Sequence, residues 1–400
     1  MTHKIELIEI SISNLIDMNE KEIPFHQLMD MMVNQYTALE QENEKLRLQI
    51  AKIKARLNEK NPNSNPKSQG SEIYPSTPSK KPSLRKMKIR INAEWNPISF
   101  DFSDSVLCTS VQDDIVSFGI ADSTVQLFYN DSFSYLTSYS GHRGAINSIV
   151  VNPTTKLYAT CSGDCTAHVW SPKIPENYSL PSHRSSIGPS EITTNIILKQ
   201  HTGSVTCGIW LSKEVLITGS YDSTLCTWDI SHSASCQHSE EVSSGIISAD
   251  KIIGTDNCYV IGAQDGNVLM YDMRTQNSIR NLIHLKGQCT TIKSIDERTI
   301  IVGGVDKMVH KFDLKGNGEL FTFDIEHVPT KMDCCGGYAI VPNETGKPRV
   351  INLNKGVIAY FDSMPFSYTV SSASWLVNDG TKALMASWDG SAYIAQFSSL

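Results

Sequence analysis

Apolar residues recur along this chain at two spacings, in two separate stretches. Between 25 and 58 the spacing is a heptad. Position a holds Met29, Tyr36, Asn43, Ile50 and Leu57, and position d holds Phe25, Met32, Leu39, Leu46 and Ile53. Nine of these ten slots are apolar, and neither Gly nor Pro follows Pro24, which suits the first turn of a helix. The pattern predicts an α-helical coiled coil over 25–58. Asn43 at an a position favours a two-stranded parallel pairing, and Glu42 (g) would face Arg47 (e) of the partner. A parallel homodimer is the expectation. Other self-association, a hetero-coil, or a helix docked on its own domain stay open. Residues 1–24 mix periodicities and predict no element.

From 91 onward the pattern is short strands, and it repeats. A small or β-branched strand leads to an Asp, and an aromatic follows six residues later in five copies and, imperfectly, in a sixth, MASWDGSAYIAQF at 385–397. The six aspartates are Asp122, Asp164, Asp222, Asp265, Asp306 and Asp389. Their successive gaps are 42, 58, 43, 41 and 83 residues. The longest gap holds a degenerate copy, VPNETGKPRVINL at 341–353, with Glu344 near the Asp position. Seven units in 91–400 give about 44 residues each, the size of a four-stranded propeller blade. After Asp389 only one further strand fits, at 391–397. The segment EWNPISFDF at 94–102 is expected to supply the missing outer strand and close the ring.

Two units carry more. His142 lies 22 residues before Asp164, and His201 lies 21 before Asp222. Thr160 and Thr218 stand four before those aspartates, and Trp170 and Trp228 six after. These sets resemble the hydrogen-bonded tetrads of the WD-repeat family, in which Trp, Thr, His and Asp form one chain. A buried polar set of this kind is tolerable when every member is paired. The His and Asp residues are therefore read as structural, not catalytic. Asp306 has His284 at the same 22-residue offset, but Val302 and Phe312 replace Thr and Trp.

The fold class that results is all-β: a seven-bladed WD-repeat β-propeller with an N-terminal coiled coil and a disordered linker. Residues 59–90 are that linker, rich in Pro and Ser over 61–83. An insertion at 171–199 is expected to be a mobile loop between the second and third blades. The helix FHQLMDMMVNQYTALEQENEKLRLQI, the unit GHRGAINSIVVNPTTKLYATCSGDCTAHVW, the polar insertion after it, HTGSVTCGIWL and Trp388-Asp389 together resemble the WD repeat-containing protein 37 family. That resemblance implies a non-enzymatic scaffold, with sorting adaptors of the phosphofurin acidic cluster type as partners.

Charge divides the chain further. Residues 1–58 carry 7 basic and 9 acidic groups, 59–90 carry 8 and 2, and 91–400 carry 20 and 31, which sum to the net charge of -7. An acidic disc disfavours direct nucleic-acid binding. No apolar run approaches a membrane span and no secretory leader is evident, so the ten cysteines read as reduced thiols. The Asn-x-Ser/Thr matches at Asn130, Asn177 and Asn343 then read as chance. A cytoplasmic location is expected, with the nucleus open, because Lys80, Lys81, Arg85, Lys86, Lys88 and Arg90 could form an import signal. Thr77-Pro78 matches a proline-directed phosphorylation site.

Neither a metal nor a cofactor is predicted. Cys161-x3-Cys165 and Cys334-Cys335 do not make a four-ligand zinc set, and no nucleotide-binding or hydrolase motif occurs. Partners are expected on the face holding the Asp turns. Arg143, Tyr221 and Trp388 are the candidates, because aromatics and Arg dominate interface hot spots. The function expected is a dimeric protein-interaction scaffold. The alternative is a substrate-recognition or regulatory subunit of a chromatin or ubiquitin-type modifying complex.

Overall fold

The computed structural model describes residues 84–85, 87–98, 100, 102–172, 192–231, 235–274, 279–316, 318–377 and 380–397. The proposed coiled coil, with Asn43, Leu39, Leu46, Ile50 and Ile53, lies outside the described residues, as do 1–24, most of the linker and 173–191 of the insertion.

Seven sheets follow one another along the chain, at 106–139, 146–199, 205–241, 246–284, 289–324, 333–361 and 370–397. Each is an antiparallel four-stranded blade. Blade seven takes its outer strand from β3 (Ala93–Pro97), which pairs with Ala392–Phe397. Two further strands extend the neighbouring blades. β1 (Leu84–Arg85) lies parallel to the outer strand of blade five, and β2 (Met87–Ile91) lies parallel to that of blade six. Residues 84–90, assigned by sequence to the linker, are thus largely strand. Their Lys/Arg content hid an alternating apolar pattern, Met87-x-Ile89-x-Ile91.

The insertion also differs from expectation. Thr166–Pro172 and Ile192–Lys199 are the paired third and fourth strands of blade two, so its ends belong to the sheet. What it interrupts is blade two itself, not the joint between blades. Ile192-Thr193-Thr194 is a β-branched run, which suits a strand.

Apolar packing closes the ring. Seven buried clusters each span one joint between consecutive blades. The joint between blades seven and one is among them, where Leu384 and Ala386 meet Phe118 and Phe128. Space at the joints is tight. A Cβ on Gly219 would come within 2.7 Å of Ile246 Cγ2 and 2.9 Å of Cys207 Sγ.

Polar side chains lace the inner strands together. Asn147 Nδ2 donates to Val205 O (2.8 Å), Thr206 Oγ1 to Ile246 O (2.7 Å), Thr330 Oγ1 to Val370 O (2.6 Å) and Ser371 Oγ to Val106 O (2.5 Å). At the other joints Asp250 accepts from Ser294 N, Thr291 from Met332 N, and Cys108 Sγ reaches Ile146 O. The channel they enclose has a volume of about 290 Å³. Lys331, at the entry to blade six, donates across it to Leu107 O of blade one (3.1 Å) and to Asn147 O of blade two. No helix among the described residues is long and apolar enough to cross a membrane.

Candidate partner face and its polar supports

The turns between second and third strands form one face of the ring. Each repeat Asp bends its own turn by accepting the N–H two residues on: Thr124, Thr166, Thr224, Asn267, Met308 and Ser391. The residue after each Asp is left-handed: Ser123, Cys165, Ser223, Gly266, Lys307 and Gly390 have φ between 65° and 88°. An Asp followed by a left-handed residue is therefore the signal that the repeat carried.

Blade two holds the most connected turn. Trp170 Nε1–H donates to Thr160 Oγ1 (3.3 Å), and Thr160 lies 2.9 Å from His142 Nε2. His142 Nδ1 reaches Asp164 Oδ2 at 2.9 Å. Sequence spacing missed the second half. Thr166 Oγ1 donates to the other oxygen of Asp164 (2.6 Å) and lies 3.1 Å from His168 Nε2, whose Nδ1 meets Tyr139 OH at 2.7 Å. Burial pushes both imidazoles down, His168 to about 4, so both rings are neutral. With Asp164 accepting from Nδ1–H of His142, the Thr160 hydroxyl donates to its Nε2, and each polar group has a partner. Burial, the largest influence on Asp164, pushes its carboxyl up. Hydrogen bonds from Thr166, the Arg143 amide and His142 outweigh it and hold the group at about 2.

Blade three repeats the chain and its Thr–Asp contact, Thr224 Oγ1 donating to Asp222 Oδ1 (2.7 Å), but lacks the second imidazole. Trp228 Nε1–H donates to Thr218 Oγ1 (2.9 Å), Thr218 lies 2.8 Å from His201 Nε2, and His201 Nδ1 lies 3.2 Å from Asp222 Oδ2. Cys226 stands where blade two has His168, with its Sγ 4.0 Å from His201 Nδ1.

The remaining turns use other partners. His284 does not reach Asp306. It is the last residue of an outer strand and bonds Asn267 Oδ1 at 2.9 Å. His142 and His201 instead lie past their strands, in loops free to fold inward. Asp306 takes His310 Nε2 (3.1 Å), and His310 Nδ1 meets Glu319. Ser103 and Ser243 hydroxyls bond Asp122 and Asp265. In blade six the Asp position falls to Asn343, not to Glu344. Asn343 is fully buried; its Oδ1 accepts from the Thr345 and Lys347 amides, and its Nδ2 donates to Lys347 O.

By proximity His142, Asp164 and His168 could hold a metal ion. Their chemistry does not fit one. The two rings are stacked 17° from parallel, and all four ring nitrogens face hydrogen-bond partners.

The three candidate contact residues stand apart. Tyr221 is 48% exposed on blade three, and Arg143 is exposed in the loop before blade two. Trp388, expected in an exposed turn, is half-buried on blade seven. Its backbone N–H donates to Thr369 O (3.1 Å), as that of Tyr221 does to Ser204 O, and its carbonyl also accepts from Ser105 Oγ.

Comparison with known proteins follows this geometry. The profile of the WD domain, G-beta repeat, matches residues 133–171 and 192–229. These cover much of blades two and three, where both tetrads lie. The chain is 27% identical to the ribosome biogenesis protein WDR12 homolog of Drosophila mojavensis over 213 residues, 49% of this chain and 50% of that protein. It is 24% identical to WD repeat-containing protein 37 of Homo sapiens over 268 residues, 58% of this chain and 53% of that protein. The Mus musculus counterpart is 24% identical over 287 residues. The chain spans about half the length of the curated relatives it matches.

Proposed function

Because this chain belongs to the WD-repeat propeller family, we propose that it is a non-enzymatic protein-interaction scaffold, paired through a parallel coiled coil at 25–58. The observation that carries the reading is the state of the turn face. The repeat carboxylates and the imidazoles beside them are spent on holding turns, as the His142–Asp164 and His201–Asp222 pairs illustrate. What the face offers a partner is shape, Tyr221 and Arg143. Two linked discs would bind a divalent partner with gained avidity. Adaptors of the phosphofurin acidic cluster type belong to this reading through the resemblance to WD repeat-containing protein 37, and a cytoplasmic location, with the nucleus open, goes with it.

A second reading draws on the relatives named for ribosome biogenesis. In it the disc is an assembly subunit of a larger nuclear particle. Affinity purification of the full chain beside a Tyr221→Ala/Trp388→Ala chain separates the two. Sorting adaptors recovered by the first and lost by the second support the scaffold. Preribosomal or catalytic modifying subunits, unaffected by the substitutions, would sink it. Sedimentation of the full chain as a monomer would reject the pairing.

A further inference from the structure

The outer edge of blade six is formed by β2, and it has two unlike sides. In its parallel register Ile89 opposes Ala359 and Ile91 opposes Phe361, while Lys88 opposes Ile358 and Arg90 opposes Tyr360. The first side faces an apolar cavity of about 220 Å³, lined by Ile89, Ile91, Tyr338, Val350 and Val357 with Lys355. The second side is basic. Lys88 lies 5.1 Å above the Tyr360 ring and 2.5 Å from Glu326, and Arg90 reaches only to 3.8 Å from Asp362 with 86% of its side chain exposed. A second cavity, of about 460 Å³, runs along the strand past Lys88, Ile89 and Arg90.

The backbone of this edge is turned for pairing. The Ile91 carbonyl points inward, accepting the Asp362 N–H at 3.3 Å. Alternation along a strand then turns the peptide groups of Lys88 and Arg90 outward. Basic residues on an edge ordinarily guard it against unwanted strands. A guard alone does not account for an apolar cavity at the edge with Ile89 left 42% exposed beside it. The two sides together select an added strand with acidic residues on one side and aliphatic residues on the other.

We propose that β2 receives an extended acidic peptide of another protein as a sixth strand of blade six. Its backbone pairs with Lys88 and Arg90, its carboxylates meet Arg90, and an aliphatic side chain fills the 220 Å³ cavity beside Ile89. The 91–400 region is acidic, with 20 basic against 31 acidic groups, so this edge is a basic island on it. The surface is centred on the outer edge of blade six, whereas Tyr221 lies on blade three.

Fluorescence anisotropy with a labelled peptide of alternating glutamate and valine tests this on the full chain. The peptide should bind, and its glutamate-to-lysine counterpart should not. Arg90→Gln should weaken binding a few-fold and flatten its salt dependence. Arg90→Pro, which removes an outward N–H and leaves the inward ladder, should weaken it roughly tenfold. Its thermal melt should match wild type, which shows that the strand is still docked. Tyr221→Ala should bind like wild type, so failure here and failure of the turn-face reading are distinguishable. No binding by the glutamate peptide, equal binding of both peptides, or full affinity in a folded Arg90→Pro chain overturns the proposal. So does a change in sedimentation on Arg90→Pro, which would place a second copy of this chain on the edge.

Discussion

The imidazole of His142 lies flat against that of His168, with ring centroids 3.6 Å apart and planes 17° from parallel. Two imidazolium ions would repel each other in that stack, and burial lowers both rings below the ordinary histidine range, so both are neutral near pH 7. Their nitrogens already satisfy Thr160, Asp164, Thr166 and Tyr139. A proton on either ring would break a hydrogen bond as well as add a charge.

Acid should therefore loosen blade two. An unfolded chain protonates these rings near pH 6.5, whereas folded His168 resists until about 4. Its folded pKa is depressed, so the stabilisation is whole above about pH 6.5 and is lost as pH falls toward 4. The loss is on the order of a few kcal/mol. His168→Phe keeps the stacked ring and drops the proton site. Thermal melts from pH 7 to 4.5 should fall less steeply for this variant; matching slopes would remove His168 as the acid-sensitive group.

Alkali should act through His310, with the opposite sign. Burial, the largest influence, pushes this imidazole down, but Asp306 and Glu319 outweigh it and raise it to about 9. Its stabilisation is present below about pH 6.5 and is lost as pH rises through 9. His310→Gln should flatten the melting temperature between pH 7 and 9.5, and an unchanged slope would show that the ion pairs contribute nothing.

The two ends of the blade-three tetrad should not be equal. Trp228→Phe removes one donor, while Thr218 keeps His201; the lost hydrogen bond should cost about 1 kcal/mol, and the lost packing of the buried indole adds to it. Thr218→Val strands both the indole N–H and the imidazole in a buried site and should cost about 2–4 kcal/mol. Urea unfolding of both variants and the double gives the coupling. Because Thr218 is the partner that Trp228 and His201 share, the two losses should not add; strict additivity would contradict a continuous chain.

Blade six yields a less intuitive expectation. Asp occupies this turn position in six blades, yet Asn343→Asp should destabilise by about 1–3 kcal/mol. The Asn343 Nδ2 donates to Lys347 O, and a carboxylate oxygen there would face that carbonyl in a fully buried site. Equal or higher stability of the variant by urea unfolding would mean the turn rearranges.

The ring was legible because each turn needs an Asp and a left-handed residue after it, which recur at a near-constant spacing. The first halves of the tetrads were legible for the same reason. His168 and Tyr139 were not, since they meet through space across the joint between blades one and two. His284 misled because offset counts residues and ignores whether they fall on a strand or in a loop. β2 was hidden because basic residues on its outer side read as linker. Glu344 was chosen over Asn343 because charge was sought where an amide serves as both donor and acceptor.

β3 pairs with residues 392–397 although about 300 residues separate the two. On a ribosome adding about 5–20 residues per second, β1, β2 and β3 are made roughly ten seconds to a minute before their partner strands exist. Blade seven is therefore the step that finishes the ring, and it comes after the other six blades have been made. During that wait the nascent chain carries an unpaired amphipathic strand ahead of blades that are already forming. The ring stays open until that last seam closes.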